Sequence, residues 1–256
     1  GMGTIAGSVM GTYIGMLGGT DPAAKVLFAT HLLSASVMAV PGSIVLAKML
    51  CPQTEEATDH VAISGKEKEN SNILDAISSG TVTGVKLMTN IAAMLLVFIS
   101  LVALANYITE GVIGRYTGLN DWIVKITDGK AQGLTFQFIL GVITSPFMWL
   151  IGVPSQDIML VGSLLGQKTI LNEFVAYFQL QQWKDAGLFM YEKSILMSTY
   201  ILCGFANISS IGILLGGLGV LAPEKRGLIS RIGVPAMIGG ALVSVLSATI
   251  IGMILG

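Results

Sequence analysis

SQDIMLVGSLLGQKTILNEFVAYFQL, residues 155–180, is the stretch that decides how this chain folds. It holds two apolar pieces, SQDIMLVGSLLG and NEFVAYFQL, joined by QKTIL. Neither is long enough to cross hydrocarbon as a helix, which takes about 20 residues. Two half-length pieces around a polar tip predict a re-entrant hairpin, a backbone tolerated at membrane depth only where protein or a water-lined cavity surrounds it. Glu173 opens the second piece, in a run otherwise apolar or small. A charged acid at helix-centre depth costs about 2.5–3.5 kcal/mol on insertion scales, and an Asn or Ser would cap a helix more cheaply. Glu173 is therefore the leading functional candidate. The alternative is a structural carboxylate satisfied by backbone amides at a helix start.

The rest of the chain agrees with a membrane setting. Of 256 residues, 53% are hydrophobic and only 11% charged, against about a quarter charged in soluble domains. The run IAAMLLVFISLVALANYI is long enough to span a bilayer as one helix. The 32 glycines suit helices that approach closely and break. Together these features predict an all-α, polytopic membrane protein with discontinuous helices. The net charge of -1 gives no reason to expect a nucleic-acid partner. Cys51 and Cys203 stand in unrelated contexts, form no metal pattern and read as small buried thiols. No nucleophile–base order, HExxH motif, phosphate loop or paired-cysteine site is visible, so neither an enzyme nor an organic cofactor is expected.

Residues 1–50 read as a broken membrane helix, interrupted in GTIAGS, followed by a helix kinked near Pro41. A polar loop at 51–72 precedes a long membrane helix at 73–108 and a second polar connection at 109–133. Residues 134–256 then hold a spanning or interfacial helix carrying Pro146, the hairpin at 155–181, a broken helix at 194–220 and a last helix at 232–256. Basic residues divide almost evenly between the two sides, so charge does not set the orientation. The opening GMGTIAGSVMGTYIGMLGG has no basic n-region and does not resemble a signal peptide. It reads as a start inside a membrane helix, and the expectation is the C-terminal part of a longer protein.

An internal correspondence points toward a transporter. GMGTIAGSVMG and GFANISSIGILLG both start with Gly, carry a polar residue fourth and Ile fifth, so Thr4 corresponds to Asn207 and Ile5 to Ile208. Matching broken helices are the signature of transporters built from two related halves. Asn207 and Ser210, three apart, share a helix face. With an ionised Glu173 they can recognise vicinal hydroxyls of a sugar, and Phe205 can supply an apolar face to a ring. The alternative is inter-helix hydrogen bonding worth perhaps 0.6 kcal/mol per pair. Thr4 and carbonyls freed by the break suit a hard cation; close-packing small residues are the competing reading. His31 reads as interfacial, and Lys168 as a partner for the hairpin tip.

VGSLLGQKTILNEFVAY followed by CGFANISSIGILLGGLG resembles the concentrative nucleoside transporter family. GTIAGSVMGTYI, HLLSASVMAVPGSIVLAKM and VPAMIGGALVSVLSATIIG carry the same resemblance, which covers essentially the whole chain and corresponds to the family's C-terminal half. It implies a Na+- or H+-coupled nucleoside symporter of the plasma (inner) membrane, a homotrimer working by an elevator motion of a transport domain against a scaffold. On this resemblance Glu173, Asn207 and Ser210 hold the ribose hydroxyls, with Phe205 beside the sugar and Val9 near the base. Thr4, through its hydroxyl and carbonyl, and the Ile5 carbonyl join the sodium site. The helix around residues 87–106 belongs to the scaffold and trimer interface. The family's first hairpin is expected upstream, so these 256 residues alone are not expected to transport. The rival readings are a symporter for another polar solute, a non-transporting membrane assembly subunit and an intramembrane enzyme.

Overall fold

Every regular element among the described residues is helical. The computed structural model describes residues 1–52, 72–127, 129, 131–221 and 223–256. The aqueous loop expected at 51–72 lies, apart from its ends, outside the described residues.

Residues 1–6 are non-helical, and α1 (Gly7–Gly18) begins only after them. Helix α2 (Pro22–Leu50) starts where Pro22 needs no backbone donor and where the Asp21 carboxylate accepts from the amides of Ala23 and Ala24. It runs as one helix through Pro41. Helix α3 (Ile73–Asn106) is capped by Asn72 and passes into a π-helical segment, Tyr107–Gly114. Two short helices follow, α4 (Arg115–Thr117) and α5 (Leu119–Ile126), parted by Gly118 at φ 72°.

The polar connection expected at 109–133 is thus largely helical. Its Glu110, Arg115, Asn120 and Asp121 alternate with apolar residues, among them the buried Ile123. Two asparagines tie this region to α6 (Phe136–Leu150). Asn106 donates to Gln137 Oε1 at 3.1 Å and accepts from the Phe136 amide at 2.7 Å. Asn120 donates to the Glu110 carbonyl at 3.0 Å and accepts from the Leu134 amide at 2.9 Å.

Helices α7 (Ile158–Ile170) and α8 (Glu173–Asp185) form a helical hairpin with only Leu171 and Asn172 between them. Next come α9 (Glu192–Leu202), an interruption at 203–207, α10 (Ile208–Leu221), a 3-10 turn at Pro223–Lys225 and α11 (Arg226–Ile254). The last helix starts six residues before the expected boundary at 232, because the basic EKR turn is itself helical. Helices α6 and α7 approach through glycines: a Cβ on Gly162 would lie 2.6 Å from Thr144 Oγ1, and one on Gly141 would lie 2.9 Å from the Met159 carbonyl. Small residues are how membrane helices gain dispersion contact without a hydrophobic drive between them.

The core joins α1, α2, α7, α8, α9 and α11 through Tyr13, Leu17, Leu32, Leu164, Tyr177, Ile201 and Ala248. Asp157, fully buried just before α7, accepts from the amides of Met190 and Tyr191 and so ties the hairpin base to the start of α9. Outward, the surface is apolar. Helices α2 and α11 are long and apolar enough to cross a bilayer, and only 17% and 39% of their most apolar windows are buried within the protein. Val37, Val40, Ile44 and Met49 stand exposed along α2, as lipid-facing residues do.

Gly162→Leu forces α6 and α7 apart. Overpacking of this kind costs about 1–3 kcal/mol, so the melting temperature of the detergent-solubilised protein is expected to fall by roughly 5 °C. Gly227→Ala, where a Cβ meets nothing within 4 Å and alanine favours the helix, should not lower it.

Candidate functional site

A buried carboxylate in a helical protein needs donors, and two distant segments supply them to Glu173. It is the first residue of α8, and Asn172 caps that helix by accepting from the Val175 amide at 2.9 Å. The cap satisfies one first-turn amide, and the Glu173 carboxylate takes partners from outside the hairpin as well. Oε2 accepts from Asn207 Nδ2 at 2.9 Å, and Oε1 accepts from the Tyr13 hydroxyl at 3.3 Å. Glu173 is only 4% exposed, and Asn207 and Ser210 are fully buried.

Asn207 is oriented by its own helix start. The Ser210 backbone amide can only donate, and it points at Oδ1 at 2.8 Å, so the side-chain oxygen must face α10 and the NH2 must face Glu173. The hydroxyls of Ser209 and Ser210 donate to the same Oδ1 at 2.6 and 2.8 Å. One residue therefore closes the N-terminus of α10 and links it to the N-terminus of α8. Two helix starts with their positive dipole ends meet around one carboxylate, an arrangement suited to an anion or to a hydroxyl-rich ligand.

Tyr13 is held in place by a ring stack on Tyr177, with centroids 4.2 Å apart and planes 23° from parallel. Tyr177 in turn donates to the Thr199 carbonyl at 2.8 Å. The sequence reading passed over Tyr13 and Ser209. The signal for Tyr13 was its spacing: it lies four residues after Val9, on the same helix face.

The fold links Glu173 to Asn207 and Asn207 to Ser210. Phe205 is half-buried in the 203–207 interruption, and Val9 is partly buried against the core that contains Tyr13. Thr4 is half-buried and Ile5 buried, both on the non-helical segment before α1. Neither takes part in the hydrogen bonds described for Glu173. Their segment offers a hydroxyl and backbone carbonyls outside a helix, a donor set for a hard monovalent cation. Among the described residues, no three His, Cys, Asp or Glu side chains gather as a metal group would need.

Three expectations change. Lys168 does not pair with the hairpin tip: fully buried, it donates to the Ile201 carbonyl at 2.8 Å and to Ser244 Oγ at 3.0 Å. A helical side chain leans toward the N-terminus of its own helix, which for Lys168 is away from the tip. His31 lies inside α2, with Nδ1 3.1 Å from the Tyr200 hydroxyl. Of the two thiols only Cys203 is buried, while Cys51 at the end of α2 is exposed.

Residues 31–252 match the family described as "Na+ dependent nucleoside transporter C-terminus". An uncharacterized transporter of Haemophilus influenzae is 39% identical over 100% of this chain and 57% of its own length. Sodium/nucleoside cotransporter 1 of Rattus norvegicus is 37% identical over 99% of the chain and 38% of its own length. Among solved structures, CNTnw in an inward-facing substrate-bound state superposes with a TM-score of 0.76 at 36% identity, covering 100% of this chain and 56% of that one. The chain spans about half the length of the curated bacterial relatives it matches, and less of the mammalian ones.

Asn207→Ala removes the donor to Glu173 and the acceptor for Ser210 and Ser209 in one step. Leaving a buried carboxylate oxygen unpaired is expected to cost about 2–4 kcal/mol, read as a lower melting temperature in detergent. Ser209→Ala, which removes a donor and leaves Asn207 its other two, is expected to cost less than about 1 kcal/mol.

Proposed function

The chain belongs to the sodium-dependent nucleoside transporter family, as a C-terminal region of a membrane transporter, and on that premise we propose that it carries the sugar-binding half of a cation-coupled nucleoside symporter. The observation that carries this reading is the Glu173–Asn207–Ser210 cluster, where a carboxylate, an amide and a hydroxyl converge at two helix starts. A ribose offers two vicinal hydroxyls that donate to a carboxylate in bidentate fashion and accept from an amide. Glu173 accepts from the sugar hydroxyls, while Asn207 and Ser210 fix their register. Phe205 lines the sugar and Val9 the base. Tyr13, already bonded to Glu173, aims the carboxylate.

The coupling ion, Na+ or H+, enters as a second substrate. For Na+, Thr4 and the Ile5 carbonyl contribute oxygen ligands on the segment before α1. Because that segment leads directly into α1, which carries Tyr13, cation binding there orders a partner of Glu173. Linkage then makes each ligand raise the affinity for the other.

In the bilayer, α7 and α8 enter and return as a re-entrant hairpin: 13 residues each rise only about 20 Å, short of the ~30 Å core. Helices α1 and α10, each entered from a non-helical segment (residues 1–6 and 203–207), are the matching pieces of two repeats. With α2 and α11 they move as one transport body, carrying the site across an inner membrane while α3 stays with a scaffold. The exposed apolar face of α3 suits lipid and the contacts of a homotrimer.

The test is uptake of radiolabelled uridine by uptake-deficient cells expressing the complete reading frame that contains this chain. Saturable, cation-gradient-dependent uptake is expected, and Glu173→Gln at equal surface expression is expected to reduce it at least 100-fold, since a charge-assisted bidentate contact becomes a neutral one. A well-expressed protein that takes up no nucleoside overturns the proposal and favours a symporter for a different polar solute.

A further inference from the structure

Lys168 is fully buried, and the binding reading above gives it no role. It stands at the crossing of the chain's two helix interruptions. Helix α9 ends at Leu202, so its last carbonyls lack the amides that a continuing helix would supply. Lys168 Nζ takes one of them, the Ile201 carbonyl, at 2.8 Å. Ser244 Oγ, on α11, lies 3.1 Å from the Cys203 carbonyl and 3.3 Å from the Gly240 carbonyl. The Ser244 proton is therefore committed to a carbonyl, and the oxygen accepts from Lys168 at 3.0 Å. The other interruption arrives at the same place: a Cβ on Gly204 would lie 2.5 Å from Ser244 Oγ and 3.3 Å from both Lys168 Nζ and the Gly3 carbonyl. Only glycine leaves room at 204 for these groups to converge.

An ammonium held by a helix-end carbonyl and a hydroxyl, with a hydroxyl-bonded second carbonyl behind them, is bound by the oxygen ligands that suit a monovalent cation. We propose that Lys168 is a resident cation: its ammonium fills the α9–α10 interruption permanently, where the first interruption takes an exchangeable ion from solution. One repeat then couples to an ion, and the other carries its cation on a side chain. The inference rests on the transporter reading only for the ion at the first interruption; the Lys168 site itself stands on its own geometry.

The test removes the tethered cation and returns a free one to the complete protein, purified in detergent. Lys168→Ala leaves a cavity that n-propylammonium fits, since the alanine Cβ and propylammonium together restore the lysine side chain. Loss of the buried charge lowers the melting temperature by about 10 °C, and n-propylammonium recovers about half of that in a saturable way. 1-Propanol, its neutral counterpart, recovers none, and neither compound shifts the wild type. Equal recovery by propanol, or none by either, overturns the proposal. If Lys168→Ala gives no folded protein, Lys168→Gln decides, because it keeps hydrogen-bond donors without the charge: wild-type melting overturns the proposal and a comparable loss supports it. Uridine added to the wild type in the same assay separates the two readings. Rescue by propylammonium without a uridine-induced rise sinks the nucleoside reading alone, and the reverse pattern sinks the resident cation alone.

Discussion

The hydrogen bond from Asn207 to Glu173 joins two helix starts that lie 34 residues apart in sequence, and the arrangement around it follows from satisfying one buried carboxylate. In a helical membrane protein the backbone has little to offer such a group, because regular helices consume their own amides. The donors must come from side chains or from helix starts. The hairpin provides one start at α8, and the interruption after α9 provides the other at α10. Tyr13 closes the third side from α1, and its stacking on Tyr177 fixes where α1 meets the hairpin. Without interruptions there would be two continuous helices and no place for an acid.

Interruptions create their own debt of unpaired carbonyls, and the chain meets it with single side chains rather than with more backbone. Lys168 and Ser244 take the carbonyls of Ile201 and Cys203. Asp157 does the reverse at the base of the hairpin, accepting the amides of Met190 and Tyr191. The α9–α10 interruption and the base of the hairpin are thus each held by a polar side chain from another segment, which ties the hairpin, α9 and α11 together. The outer faces of α2 and α11 have no such polar links and remain apolar.

Much of this was legible in the sequence because membranes penalise charge and unpaired backbone so heavily. An acid in an apolar run singled out Glu173 as a group that needs partners, two short apolar pieces around a polar tip predicted the helical hairpin of α7 and α8, and Asn207 with Ser210 had helical spacing. Ser209 and Tyr13 were not legible in the same way: a serine at a helix start and a tyrosine in a glycine-rich helix are ordinary, and only the packing of α1 on α8 gives Tyr13 its partner. Lys168 was placed at the tip by its sequence neighbours, but side-chain direction in a helix turned it toward the α9 end. The helices between 107 and 126 escaped notice because charged residues and glycines break their apolar positions every few residues in a linear reading, whereas Asn106 and Asn120 use that polarity to bind the α3 end to the start of α6.

The central claim is that Glu173 reads sugar hydroxyls. Calorimetric titration of the complete, purified protein with uridine and with 2′,3′-dideoxyuridine, each against wild type and Glu173→Gln, addresses it most directly. Uridine should bind wild type at least 100-fold more tightly than the dideoxy compound, because a site built around hydroxyls is left with unpaired buried groups when they are missing. That gap should narrow to about tenfold or less in Glu173→Gln. Equal affinity of wild type for the two ligands would contradict the account.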